Sequence, residues 1–329
     1  NWPHLIAWGT RLISFSVRDV QSVFAADVDG DGDVDVLSAS YDDGKIAWYE
    51  NVAGDGTTWS DHVISVAALL ATSVFAADVD GDGDVDVLSA SFSPSKIAWY
   101  ENLAGDGSAW SEHVIPSSAT QPYSVFAMDV DGDGDIDVLS ASASDDKIAW
   151  YENESGDGSS WVEEVISDSA DYAKSVFAAD VDGDGDVDVL SASTYDDKIA
   201  RYEKQTACAH YWTERVISDS ANHASAVFAT DVDGDGDIDA LSASALDDKI
   251  AWYENTQGDG TGWVTHVISV SVNACNTVFA ADLDADGDPD VLTVADGGGV
   301  LWFENTAGDG SVWTRRIVAE SVASGYAVF

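Results

Sequence analysis

The nonapeptide D-V-D-G-D-G-D-V-D at Asp27–Asp35 recurs in near copies that begin at Asp78, Asp129, Asp180, Asp231 and Asp282, always 51 residues apart. A period held without insertion or deletion places every copy in the same structural unit, stacked on neighbours that complete its core. Each unit reads S-V-F-A-A-D, the acidic loop, D-V-L-S-A-S, a polar loop, K-I-A-W-Y-E-N, a G-D-G turn and W-S-D-H-V-I-S, with small variations. These are four short β-rich runs divided by turn residues, and none carries a helical stripe. Four antiparallel strands per unit of this length predict an all-β fold, a β-propeller of four-stranded blades.

The expected organisation is one propeller domain over residues 1–329, with six complete repeats spanning about 22–320. Residues 1–21 and 321–329 are then closing or overhanging strands. Trp8–Ser14 aligns with a fourth strand and Tyr326–Phe329 with a first strand, so the two ends predict a partial seventh blade, with Leu5–Trp8 as an irregular third strand. The alternative is six blades whose overhanging strands pair with another copy.

In such a propeller the first strand lines a narrow channel, which suits Ala76 and Ala77. Trp48, Trp99, Trp150, Trp252 and Trp302 in the third strand, and Trp59, Trp110, Trp161, Trp212, Trp263 and Trp313 opening the fourth, read as wedge fillers rather than sugar platforms. His62, His113 and His266 share a fourth-strand slot taken elsewhere by Glu164, Arg215 and Arg316, which reads as protection of the sheet edge rather than catalysis.

The formal net charge of -48 arises from 61 acidic residues, 30 of them in the six loops. Such a chain repels nucleic acid and anionic membrane, and no apolar run is long enough for a membrane helix. Metal ions are the natural partners. In the first loop Asp27, Asp29, Asp31, Asp33 and Asp35 stand at positions one, three, five, seven and nine. The second offers Asp78, Asp80, Asp82, Asp84 and Asp86, and the third Asp129, Asp131, Asp133, Asp135 and Asp137. The fourth offers Asp180, Asp182, Asp184, Asp186 and Asp188, and the fifth Asp231, Asp233, Asp235, Asp237 and Asp239. The sixth keeps Asp282, Asp284, Asp286, Asp288 and Asp290 while substituting Ala285 and Pro289.

Hard oxygens in this number suit Ca²⁺ better than Mg²⁺ or Zn²⁺, and one ion per repeat predicts six. By analogy with the helix-loop-helix calcium motif, position seven is expected to bind through its backbone carbonyl, leaving the Asp33 side chain outside. That motif itself is excluded, because position twelve is Ser38 and the flanks are strands.

V-F-A-A-D-V-D-G-D-G-D-V-D-V-L resembles the FG-GAP or VCBS-type calcium-binding repeat, the blade of integrin α-chain propellers and of many secreted microbial proteins. The resemblance implies a propeller with calcium between first and second strands, on an extracellular or cell-surface protein that binds proteins or glycans. It implies no particular ligand.

Function is expected where the repeats differ. The connections between fourth and first strands, with the loops around Tyr41, Phe92 and Tyr195, define a variable face opposite the acidic loops. In repeat four, Arg201 replaces the third-strand Trp and K-Q-T-A-C-A-H-Y replaces the G-D-G turn. Cys208 and Cys275, assigned to opposite faces, cannot bridge within one propeller but could join stacked copies. Asn153-Glu154-Ser155 is a glycosylation sequon on an outer turn. The sequence therefore predicts a non-catalytic adhesion or assembly module, able to form homo-oligomers or filaments through terminal strands or cysteines. The alternatives are a lectin with pockets between blades and an accessory domain of a secreted enzyme. Catalysis would need an unrepeated convergent set of acid, base or nucleophile, and none is evident.

Overall fold

The computed structural model describes residues 11–14, 16–205, 211–295 and 299–319. Its regular elements are all strands, arranged as six four-stranded antiparallel sheets, the blades of a β-propeller. Blade one comprises β1 (Val20–Ala26), β2 (Asp35–Ser40), β3 (Lys45–Glu50) and β4 (Ser60–Ser65), paired in that order. Blades two to six repeat the meander from Ala71, Pro122, Ala173, Ala224 and Phe279. Among the described residues no helix is long and apolar enough to cross a membrane.

The two-residue strand period explains why one repeat needs its neighbours. In blade two, Leu88, Ile97 and Trp99 point into the core shared with blade three, while Val87, Ala98 and Tyr100 point into the core shared with blade one. Both faces of the sheet are thus apolar, and stacking is the only way to bury both. Tyr100 keeps its hydroxyl satisfied against Ser89 Oγ at 3.3 Å.

First strands converge around a central cavity of about 320 Å³. Phe75, Phe126, Phe177, Phe228 and Phe279 line it, and together with Phe24 they lie ring against ring, with centroids 4.4 to 5.1 Å apart. Neighbouring first strands are tied by serine: the backbone N–H of Val74 donates to Ser22 Oγ at 3.2 Å, and Val125 donates to Ser73 Oγ at 3.2 Å.

Third-strand Trp48, Trp99, Trp150, Trp252 and Trp302 are all buried in the sheets. Three of these rings are roofed by the G-D-G turn of the following blade: a Cβ on Gly107, Gly158 or Gly310 would overlap Trp48, Trp99 or Trp252. The His slot seals the same indoles: His62 stacks on Trp48 with centroids 4.4 Å apart, and its Nε2 lies 3.0 Å from Glu50 Oε2. Arg316 covers Trp302 in the same way, 5.2 Å from the ring centre. These residues therefore work on the sheet face over tryptophan, a contact the edge-protection reading did not anticipate.

Arg11–Ser14 join none of the six sheets, so this part of the expected closing strand is not a strand. Leu12 and Ile13 instead lie over blade one with Val23, Val36 and Tyr49, and Ser14 Oγ donates to Asp61 Oδ2 at 2.5 Å. The remaining elements assigned to a seventh blade, and Cys208, lie outside the described residues.

Two expectations are corrected. Asn153 is buried: its Nδ2 donates to Val79 O at 2.9 Å, and its Oδ1 accepts from Gly158 N at 3.0 Å. It occupies the repeat position of Asn102 and Asn255, which make the same bonds, so the sequon nitrogen is committed to packing and unavailable to a glycan. Cys275 is likewise no surface thiol. It sits fully buried in the core between blades five and six, its Sγ donating to Ser244 O at 3.2 Å, and burial pushes the thiol up to about 12. A bridge to another copy through Cys275 would require that core to open.

Candidate metal centre

Each acidic loop joins the first strand to the second, and its Gly residues allow the tight path. Gly30 and Gly32 have φ of +73° and +92°, where a side chain is strained. Ala285, at the Gly30 position of the sixth loop, keeps the left-handed conformation with φ +62°. Within loop one, Asp27 Oδ2 accepts from Gly32 N at 3.0 Å, Asp29 Oδ1 from Asp31 N at 3.2 Å, and Asp31 Oδ1 from Asp33 N at 2.9 Å.

The five Asp divide into distinct roles. Positions one, three and nine converge: oxygens of Asp27, Asp29 and Asp35 lie within 4.8 Å of one another, as do those of Asp78, Asp80 and Asp86. Equivalent groups form in loops three, four and five, and the described residues hold one further group. Position seven turns away, its carboxylate lying against the first Gly of the G-D-G turn, as Asp33 does at Gly54 and Asp84 at Gly105. The Asp33 side chain thus lies outside the group formed by Asp27, Asp29 and Asp35. Position five is not in the convergent group.

Position nine is the anchor. Asp86 is buried, with Oδ1 accepting from Asn102 N at 2.8 Å and Oδ2 from Val79 N at 3.0 Å. Burial pushes its carboxyl up to about 7 despite these two bonds, and it pushes Asp239 up to about 7 and Asp137 and Asp290 up to about 6. The third-strand indole adds a small opposing pull at Asp137, where Trp150 Nε1 approaches without a well-aligned hydrogen bond.

A bound hard cation answers these features. It would favour ionised position-nine carboxylates against desolvation, and it would partner Asp27 Oδ1 and Asp78 Oδ1, which are buried and accept no hydrogen bond. The cluster in each repeat could therefore hold a metal ion.

A pH dependence follows from these shifts. A carboxyl whose folded-state pKa is raised stabilises the metal-free fold fully at low pH, and that stability is lost as pH rises through about 6–7. In EDTA, the melting temperature should be higher at pH 5 than at pH 8. With saturating metal the ordering should weaken or reverse, because protons and metal compete for the same oxygens. Scanning fluorimetry at the two pH values checks this, and a metal-free melt that improves toward pH 8 would contradict it.

The loops are also held from the next blade. Asn102 Nδ2 donates to Val28 O at 3.0 Å and Asn153 Nδ2 to Val79 O at 2.9 Å, so the Asn closing one blade's third strand caps the preceding blade's acidic loop. Sequence reasoning missed this role, although the coincidence of E-N with G-D-G in the same repeats was a visible signal.

Repeat four departs from the pattern. Lys204 replaces that Asn, its Nζ lying 3.5 Å from Val130 O and 4.8 Å from the centre of the Trp150 ring. Arg201 is fully buried and directed into its own acidic loop. Its Nη2 donates to Asp188 Oδ1 at 3.0 Å and to Asp182 Oδ2, while Nε lies 2.8 Å from Asp188 Oδ2 as an ion pair.

Comparisons with known proteins agree with this architecture. The chain is similar to a protein from Lactobacillus plantarum, at 13% identity and a TM-score of 0.63, covering 93% of this chain and 87% of the other. It is also similar to a chain of a nidogen/laminin complex, at 11% identity and a TM-score of 0.53, covering 83% and 90%. At these identities the likeness speaks to the fold alone. No curated protein matches. Residues 27–89, 78–140, 129–191 and 231–293 each match the FG-GAP-like repeat, leaving out the stretch that contains Arg201 and Lys204. With these spans taking in well over half of its length, the chain belongs to the FG-GAP-like repeat family.

Proposed function

We propose that this chain is a non-catalytic, calcium-stiffened propeller of the extracellular space, acting as an adhesion or assembly module. The calcium assignment rests on the oxygen-only donor set, since a flexible shell of carboxylates and carbonyls fits Ca²⁺ better than the strict octahedron of Mg²⁺. Repeats of this family are typical of extracellular proteins.

The observation that carries the binding role is the aromatic arc on the face opposite the calcium loops. Phe92 bridges Tyr41 and Tyr123, with centroids 6.1 and 5.2 Å away, and Tyr195 bridges Tyr172 and His223 at 4.6 and 6.0 Å. Tyr195 is 62% exposed although its ring already packs, tilted, against Tyr172. Lys174, at the channel wall, lies 5.2 Å from the centre of the Tyr123 ring and makes no ion pair among the described residues. Clustered tyrosines beside one cation suit recognition of a protein surface, because rigid amphipathic rings supply contact area at low entropic cost. A second copy of the chain is one such protein. Burial of the third-strand indoles removes them as sugar platforms, which disfavours an inter-blade lectin.

Arrays of extracellular-matrix proteins and of glycans, probed with the calcium-loaded chain, test this reading. A protein ligand should lose at least about tenfold in affinity with Tyr195→Ala, the cost of a typical aromatic anchor. Binding that ignores Tyr195→Ala and Tyr41→Ala would move the surface elsewhere, and selective glycan binding would favour the lectin.

A further inference from the structure

We infer that blade four carries its own cation: the Arg201 guanidinium takes the place of calcium in the fourth loop, so repeat four is fastened without metal. This rests on the calcium reading for the other loops. The donors that converge in loop four are Asp180, Asp182 and Asp188, the same positions as elsewhere. Two of the three are already engaged by one guanidinium, whose Nη2 donates to both Asp188 and Asp182 while Nε lies 2.8 Å from Asp188 Oδ2 as an ion pair. Charge-assisted hydrogen bonds of this kind are strong, and a guanidinium stays charged at any physiological pH.

The arginine has nowhere else to go. It is fully buried, its Nη1 lies 3.5 Å from Asp259 O, and the turn of blade five closes over it at Gly260, where a Cβ would overlap the guanidinium. A calcium ion held by the Asp182 and Asp188 oxygens would lie beside this fixed positive charge, and both cations would compete for the same lone pairs. Asp180 Oδ1 keeps no hydrogen-bond partner, but a single remaining carboxylate is a poor calcium site. The exchange also explains why the indole is absent from this repeat alone: Arg201 enters from the third-strand position that Trp occupies in the other five repeats.

The test is a calcium count by native mass spectrometry, with elution volume and circular dichroism confirming the fold of each variant. Asp80→Asn in loop two should lower the count by one, whereas Asp182→Asn in loop four should leave it unchanged. Arg201→Trp should raise the count by one, and blade five keeps the Gly260 that a tryptophan needs. Should the tryptophan fail to fold, Arg201→Met empties the site with less bulk and should give the same gain. Hydrogen exchange in EDTA supplies a second readout: amides of residues 181–188 should keep protection that residues 79–86 lose. A count lowered by Asp182→Asn, or unchanged in the folded Arg201 variants, overturns the inference while leaving calcium in the other loops. Absence of any calcium binding overturns both.

Discussion

Chelation with EDTA should lower the melting temperature of this protein by about 15 °C, the largest single effect expected of it. At about 1 mM free calcium and a Kd of order 10⁻⁴ M, each site contributes about 1.4 kcal/mol through mass action. Five independent sites, with repeat four set apart, give about 7 kcal/mol, and a chain of this size shifts by roughly 2 °C per kcal/mol. The loss should be cooperative, because four of the loops lean on the following blade through an Asn, as at Asn102 and Asn153. Two controls separate binding from screening in a chain of net charge -48. Added NaCl should recover a minor part of the shift, by relieving repulsion between carboxylates, and Mg²⁺ should recover less than Ca²⁺. An unchanged melt in EDTA would refute the calcium reading, and full recovery in NaCl alone would reduce the loops to solvated acidic turns.

Much of this architecture was legible because a period is a geometric constraint. The 51-residue interval and the alternation in K-I-A-W-Y-E-N state which residues share a face, and the sheets place Trp99 and Tyr100 accordingly on opposite sides. The loop was equally legible in composition, but its division of labour was not. All five Asp look alike in sequence, and only the folded path sends position nine inward, position seven onto a glycine, and position three toward position one.

The misread residues failed for one common reason: their partners lie in another blade or across a sheet. Asn153 looked like a glycosylation site because its triplet was read alone, although Val79, 74 residues away, holds its side chain. Cys275 follows a variable connection and so looked exposed, yet it fills the core beneath it. Arg201 was visible as a break in the tryptophan ladder, but nothing local connects it to Asp182 and Asp188, 19 and 13 residues away.

The stacking of blades makes its own strong demand at Trp99. Trp99→Ala should destabilise the calcium-loaded protein by about 3–5 kcal/mol, since it empties a buried indole site that its neighbours can only partly refill. His113→Ala should cost far less, because that side chain is 39% exposed and merely stacks on the outer face of the indole, centroids 4.5 Å apart. The decisive comparison adds Gly158, which roofs Trp99 from blade three with φ +67° and no room for a Cβ above the ring. Gly158→Ala alone combines overlap with left-handed strain. Once Trp99→Ala has removed the ring, the overlap vanishes and only the backbone strain of about 1 kcal/mol remains. The double variant should therefore be more stable than the sum of the single losses by about 1–3 kcal/mol, the range for residues in direct contact. Denaturant melts of the four proteins give that coupling directly. Additive losses would mean that the turn of one blade does not rest on the tryptophan of the blade before it, and the account of how repeats lock together would have to be rebuilt.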